Sequence, residues 1–303
     1  MRFSMRKVKM KSLVIGMGIG QLYKSILTAE GHTVVTVDQD PAKGADYTDV
    51  AVAITEHVFF DTAHVCTPNF THVSICDQVA PFSRIVFVEK PGAATANEWI
   101  SLIERHPRTC ITMVKNNQWR TDFFSLALSA KKSSVIRLNW INKNRVPNAG
   151  SWFTNKELSY GGVSRDLLPH LLSFVSAFDN DFARATVTHK HSEQRWALDT
   201  LTDTDYGTVN KLGIYDVDDR AELTLTINDK TYILVADWRD DVEDNRSLTF
   251  ELKDSSRRYE LGLCPEDAYL NMILTCVKNL NNTVFWQQQF KHDVWIHDMM
   301  ELL

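Results

Sequence analysis

The sequence predicts an α/β protein of two domains: an N-terminal doubly wound parallel sheet, followed by an α+β domain built on a large, mainly antiparallel open sheet. Three observations carry this expectation. The 303 residues are about twice the length of a typical single domain. Residues 12–115 alternate short apolar runs with helical stretches, as consecutive strand-helix-strand units do. Beyond about Ser133 the texture becomes β-rich and alternates apolar with polar residues, the pattern of a sheet covered on one side. The domains are expected at 1–117 and 118–303, with the last helix packing back on the first domain.

Residues 12–15 form the first expected strand, 21–30 the first helix with Gly31 as its left-handed stop, and 33–37 the second strand. Further strands are expected at 63–67, 85–88 and 109–114, and helices at 71–79 and 96–104. In the second part, 135–141, 221–227, 231–238, 248–252 and 257–261 read as strands. Ala221, Leu223, Leu225 and Ile227 would share one face, opposite Glu222, Thr224 and Thr226. Residues 166–178 read as one helix, and 268–280 and 284–302 as two more. The polar stretch 200–219 carries Asp203, Asp205, Asp216, Asp218 and Asp219; it reads as a solvated acidic loop, since its spacing matches no EF-hand. No metal site is expected.

An apolar content of 44 % with 23 % charged residues is that of an ordinary globular protein. A net charge of -5 gives no basic face, so neither nucleic acid nor an anionic membrane surface is an expected partner. Arg2, Arg6, Lys7, Lys9 and Lys11 before an apolar stretch mimic a signal peptide, but that stretch holds three glycines and no cleavage site follows it. No run approaches the roughly 20 apolar residues that span a bilayer. Five cysteines, Cys66, Cys76, Cys110, Cys264 and Cys276, lack any Cys-x-x-Cys pair, which fits a reducing cytoplasm.

Gly16-Met17-Gly18-Ile19-Gly20 follows an apolar strand and precedes a helix. This is the context of a Rossmann dinucleotide-binding turn, in which glycines let the backbone approach a pyrophosphate and the helix N-terminus favours its charge. The third glycine falls at Gly20, one position earlier than the usual spacing, which would put it at Gln21. Asp38 ends the next strand at about the ~20-residue offset where a carboxylate accepts from the adenosine ribose and repels a 2′-phosphate. The expected cofactor is therefore NAD in preference to NADP, with Gly16, Gly18, Ile19, Gly20 and Asp38 as its contacts.

Three further segments stand in order behind that turn. They are Cys66-Thr67-Pro68-Asn69-Phe70-Thr71-His72, Val88-Glu89-Lys90-Pro91, and Gly161-Gly162-Val163-Ser164-Arg165-Asp166-Leu167-Leu168-Pro169-His170. Together they resemble the glucose-fructose oxidoreductase and inositol dehydrogenase family (Gfo/Idh/MocA) over almost the whole chain, Glu-Lys-Pro being the most specific element. The resemblance implies hydride transfer between a nicotinamide cofactor and a hydroxyl or keto carbon of a sugar, sugar derivative or polyol. It also implies that Thr67, Pro68, Asn69, His72, Glu89 and Lys90 lie beside the cofactor. On the residues alone, Asn69 would also cap the helix that follows.

Lys90 matches the family's lysine at the carbon being oxidised. It is a poor base at its ordinary pKa of about 10.4 unless desolvation or a cationic neighbour lowers it. Asp166 and His170 are spaced i, i+4, which on a helix suits a proton-handling pair: histidine titrates near neutrality and the carboxylate orients it. Arg165, where the family more often has a small or apolar residue, hints at an anionic group on the substrate. Leu171, Leu172 and Ser173 supply none of the further acid that relatives carry after this histidine.

Substrate contacts are expected from Lys90, Asn117, Arg120, Trp152, Arg165, Asp166 and His170, with Lys115, Trp140, Arg145 and Tyr160 as further candidates. Amides bond hydroxyls and indoles cover sugar faces. The resemblance implies a homo-oligomer, dimer or tetramer, formed through the open sheet. Two other readings stay open: a dinucleotide-binding sensor that has lost catalysis, and a reductase of an imine or tetrapyrrole.

Overall fold

The computed structural model describes residues 9–203, 206–262 and 266–303. Arg2, Arg6, Lys7, Asp205 and Cys264 lie outside the described residues. The chain divides into two compact units. The first holds the described residues up to Ala93, then Asn97–Val114 and Tyr269–Phe290; the second holds Ala94–Ala96, Lys115–Ala268 and Lys291–Leu303.

The first unit is built on five parallel strands, β1 (Lys11–Ile15), β2 (Thr33–Val37), β3 (Phe60–Val65), β4 (Ser83–Val88) and β5 (Cys110–Met113), in the order β2-β1-β3-β4-β5. Nearly every residue of β1, β3 and β4 is buried, because helices cover both faces of a parallel sheet. Those helices are α1 (Gly20–Ala29), α2 (Val50–His57), α3 (His72–Val79) and α4 (Ala96–Arg105). Helix α1 closes as expected, the Gly31 amide donating to Thr28 O and the His32 amide to Leu27 O. Helix α2 was not expected; Asp49 caps it by accepting from the Ala51 and Val52 amides. The chain runs from β1 outward to β2, then returns to β3 on the other side of β1. That reversal opens a crevice at the strands' carboxyl ends.

The second unit carries a six-stranded sheet of β6 (Val135–Ile141), β7 (Thr186–Glu193), β8 (Arg220–Ile227), β9 (Lys230–Asp237), β10 (Asn245–Leu252) and β11 (Ser255–Glu260), ordered β11-β10-β6-β9-β8-β7. All neighbours pair antiparallel except β6 and β9, which are parallel. Ala221, Leu223, Leu225 and Ile227 are all buried on one face of β8, as the alternation predicts. Strand β7, polar and largely exposed, is an edge that the sequence pattern did not reveal.

Four helices accompany this sheet: α5 (Phe123–Lys132), α6 (Lys156–Ser159), α7 (Val163–Asp166) and α8 (Leu168–Phe178). Helix α8 buries Leu171, Leu172, Phe174 and Val175. The single helix expected over 166–178 is in fact two, α7 and α8, divided at Leu167. Pro169 in the first turn of α8 has no amide proton, and the His170 amide donates to Leu167 O rather than one residue further back. The chain ends in α9 (Glu266–Lys278) and α10 (Thr283–Glu301). Among the described residues no helix is long and apolar enough to cross a membrane.

Candidate functional site

In the first unit, the carboxyl ends of β1, β3 and β4 gather the glycine turn, the Cys66 to His72 segment and Glu89-Lys90-Pro91. The Gly16 amide donates to Val37 O, and its φ of 88° is one that side chains rarely adopt. A Cβ there would lie 2.6 Å from the Cys66 carbonyl oxygen. A Cβ on exposed Gly18, by contrast, would meet nothing within 4 Å. Gly20 is buried at the start of α1, where a Cβ would stand 3.0 Å from Val14 Cγ1. The helix-to-strand closeness usually supplied by a third glycine one position later is therefore supplied by Gly20.

Ile19 is 42 % exposed beside this turn. Asp38 Oδ2 accepts from the Met17 amide at 2.6 Å while its Oδ1 accepts from Asp40 N at 2.9 Å. The carboxylate thus does two jobs: it fixes its own turn, and it ties the end of β2 to the glycine turn. Gly16 leaves no room for a side chain and Gly18 leaves an open approach, so these residues fit a pyrophosphate with a ribose toward Asp38.

Thr67 Oγ1 accepts from Thr71 Oγ1 at 2.6 Å, and the Thr71 amide donates to Pro68 O, which folds Asn69 into a buried 3₁₀ turn. His72 is fully enclosed, with Nδ1 2.8 Å from Pro91 O and Nε2 2.8 Å from Thr67 O. Burial pulls its pKa down to about 4. Both ring nitrogens therefore face backbone rather than a ligand. Glu89 is buried and accepts from Tyr23 Oη at 2.6 Å. Burial first, and the Glu89 charge second, hold the Tyr23 phenol well above its ordinary pKa, so it stays a donor. Lys90 follows, half-buried, and its peptide bond to Pro91 is cis.

In the second unit, Asp166 ends α7 and His170 lies in the first turn of α8. Asp166 Oδ2 accepts from Trp238 Nε1 at 2.8 Å, and the His170 ring stacks on Trp140 with centroids 5.0 Å apart. Trp140 is on β6 and Trp238 directly follows β9, so the parallel pair presents both indoles to the two candidate residues. Asn117, 2 % exposed, donates from Nδ2 to His170 O at 3.3 Å. The loop before Asp166 is held by Asp218, whose carboxylate accepts from Gly162 N, Ser164 N and Ser164 Oγ. Asp218 is thus part of the support and not merely of a solvated loop.

The remaining substrate candidates are engaged with protein. Arg120 pairs side-on with Asp122 through Nε and Nη2, and Trp152 stacks on Phe153 at 3.9 Å. Arg165 donates from Nε to Tyr160 O, and burial lowers its pKa. Lys115 forms a buried ion pair with Asp293 of α10, and His297 Nδ1 lies 2.7 Å from Asp293 O. Asp293 and His297 were missed; α10 carries polar residues along its whole length, so nothing local set these two apart. Among the described residues no three His, Cys, Asp or Glu side chains are placed to hold a metal.

No protein-family model matches the chain. A curated protein of Amycolatopsis mediterranei, described as the oxidoreductase subunit of a UDP-kanosamine synthase, is 29 % identical over 186 residues, which is 56 % of this chain. The match spans only about half, 51 %, of that relative's length. Among solved structures, GenD2 of gentamicin A biosynthesis, in complex with NAD, aligns over 98 % of this chain and 94 % of its own with a TM-score of 0.78 and 16 % identity. The 3-ketoreductase KijD10 of Actinomadura kijaniata, in complex with NADP and TDP-benzene, aligns over 98 % and 97 % with a TM-score of 0.73 and 12 % identity. At such identities the likeness establishes the fold. It is the two-part α/β fold that the family resemblance implies.

Proposed function

We propose that this chain is a nicotinamide-dependent oxidoreductase acting at a hydroxyl or keto carbon of a sugar, sugar derivative or polyol. The observation that carries the reading is the glycine turn at the β1/β3 switch point, closed at Gly16, open at Gly18 and tied to Asp38. Gly16, Gly18, Ile19 and Gly20 would hold the pyrophosphate, Asp38 the ribose, and the Thr67 to Asn69 and Glu89-Lys90 segments the remainder. When bound, the nicotinamide accepts or donates the hydride. Asp38 favours NAD, the cofactor in the GenD2 structure, although KijD10 was solved with NADP.

Lys90 and His170 exchange the proton of the reacting hydroxyl, and Asp166, oriented by the Trp238 indole, supports His170. Asn117, Arg120, Trp152 and Arg165 are proposed for the substrate side, with their present protein partners exchanged for hydroxyls or an anionic group. The carbohydrate class is supported by the names of the UDP-kanosamine and gentamicin relatives. A homo-oligomer in the cytoplasm completes the reading.

The test follows nicotinamide absorbance against panels of free sugars, sugar acids, nucleotide-linked sugars and imines. Lys90→Ala and His170→Ala should each abolish turnover while leaving NAD affinity nearly intact. Unchanged turnover in both variants would overturn the assignment. NAD binding with no turnover on any panel would favour the sensor, and turnover confined to imines the non-carbohydrate reductase.

A further inference from the structure

Lys90 is flanked by two residues that the first unit holds from different helices. Before it, Glu89 is bonded by the Tyr23 hydroxyl of α1. After it, the Pro91 carbonyl faces Nδ1 of His72 in the first turn of α3. The same ring presents Nε2 to the Thr67 carbonyl at the end of β3, so one enclosed imidazole spans the segments that leave β3 and β4.

A neutral imidazole carries a single N–H and can donate to one carbonyl at a time. The two carbonyls differ in what else can serve them. The contact with Pro91 is wholly buried, so no water can replace the donor; the contact with Thr67 is partly exposed, and water can. The proton therefore belongs on Nδ1. We propose that His72 is the positioning residue of Lys90, its Nδ1–H bonded to the Pro91 carbonyl and thereby setting where the lysine amine stands. This inference rests on the reading of Lys90 as the proton-handling residue and goes beyond it, since it takes His72 away from the cofactor and gives it to the lysine.

Two substitutions separate the ring nitrogens, because an asparagine amide can occupy the place of Nδ1 and a glutamine amide that of Nε2. His72→Asn keeps the donor to Pro91; His72→Gln keeps only the one to Thr67. The first readout needs no substrate: the rate of reductive methylation of Lys90, followed on its peptide by mass spectrometry. We expect His72→Asn to stay within about twofold of the parent and His72→Gln to change that rate by about fivefold or more as the segment loosens. In turnover, His72→Gln should lower kcat by about tenfold to a hundredfold, the cost of misplacing a reacting group, while KM for the cofactor moves little. His72→Asn should restore kcat.

Equal methylation rates in the two variants would overturn the proposal, as would equal losses of kcat and cofactor affinity in both. Should neither variant fold, the ring-nitrogen chemical shifts of His72 in the parent protein decide it: a protonated Nδ1 supports the proposal, a protonated Nε2 refutes it. A parent protein inactive on every substrate panel, with Lys90 methylation still following the Asn and Gln variants as expected, would fault the oxidoreductase reading and leave the positioning of Lys90 standing.

Discussion

Replacing Gly18 by alanine separates what the glycine turn does for the fold from what it does for a ligand. An added Cβ meets nothing within 4 Å and the residue's φ is not in the left-handed range. The variant should therefore be as stable as the parent, or more stable by about 0.4–1 kcal/mol through the unfolded chain. If a pyrophosphate lies against this backbone, the methyl group intrudes on it. An overpacking cost of about 1–3 kcal/mol corresponds to roughly a 5- to 150-fold loss of affinity.

Gly16→Ala is the opposite case. Left-handed strain of about 1–2 kcal/mol adds to the clash with the Cys66 carbonyl, for which about 1–3 kcal/mol is typical. A loss of this size lowers the melting temperature by roughly 4–20 °C. Thermal melts and calorimetric NAD titrations of both variants provide the assay. Gly18→Ala binding NAD as tightly as the parent would refute the placement of the pyrophosphate, and Gly16→Ala melting with the parent would refute the account of the turn.

Three further outcomes are expected. Removing one partner of the buried Lys115–Asp293 pair, by Lys115→Met or Asp293→Asn, should cost about 3–5 kcal/mol in urea unfolding, and the double variant should recover most of it. Trp238→Phe removes the indole donor to Asp166, so kcat should fall about tenfold, equivalent to about 1.4 kcal/mol, and because Trp238 is fully buried the smaller ring should also lower the melting temperature. Burial pulls His64 and His292 to about 3, and His72 and His297 to about 4, all below the ordinary 6.5. The unfolded chain then binds more protons between those values, so stability is full above about 6.5 and falls as the pH drops toward 4. Urea midpoints that do not move between neutral and mildly acidic pH would contradict the burial of these rings.

Much of the architecture was legible because period and punctuation agreed. Strand β8 alternates so regularly that its buried face could be named residue by residue, and Gly31 marked the end of α1. Helix α2 was missed because its Val-Ala-Val-Ala-Ile run has strand-like alternation with little polar contrast, leaving only the Asp49 cap as a signal. The break at Leu167 was hidden because Pro169 fits a first helical turn, and only the hydrogen-bond pattern shows which turn that is. In the candidate site, the motifs located the residues that could carry chemistry, but not their supports. Asp218, Trp238 and Asp293 are far from those motifs in sequence, and long-range partners leave no local pattern.

The one parallel pairing of the second sheet among the described residues, β6 with β9, has a kinetic consequence. Both β7 and β8 are synthesised between its two strands, so it closes one of the two long loops in its sheet, the other being β6 with β10, and such non-local pairings form slowly. Trp140 and Trp238 stand at the carboxyl ends of that pair, against His170 and Asp166. The platform under these two residues is therefore assembled by one of the last events of refolding. The part of the indole fluorescence change that Trp140→Phe and Trp238→Phe remove, out of eight tryptophans, should report that event, and recovery of activity should lag behind the recovery of secondary structure.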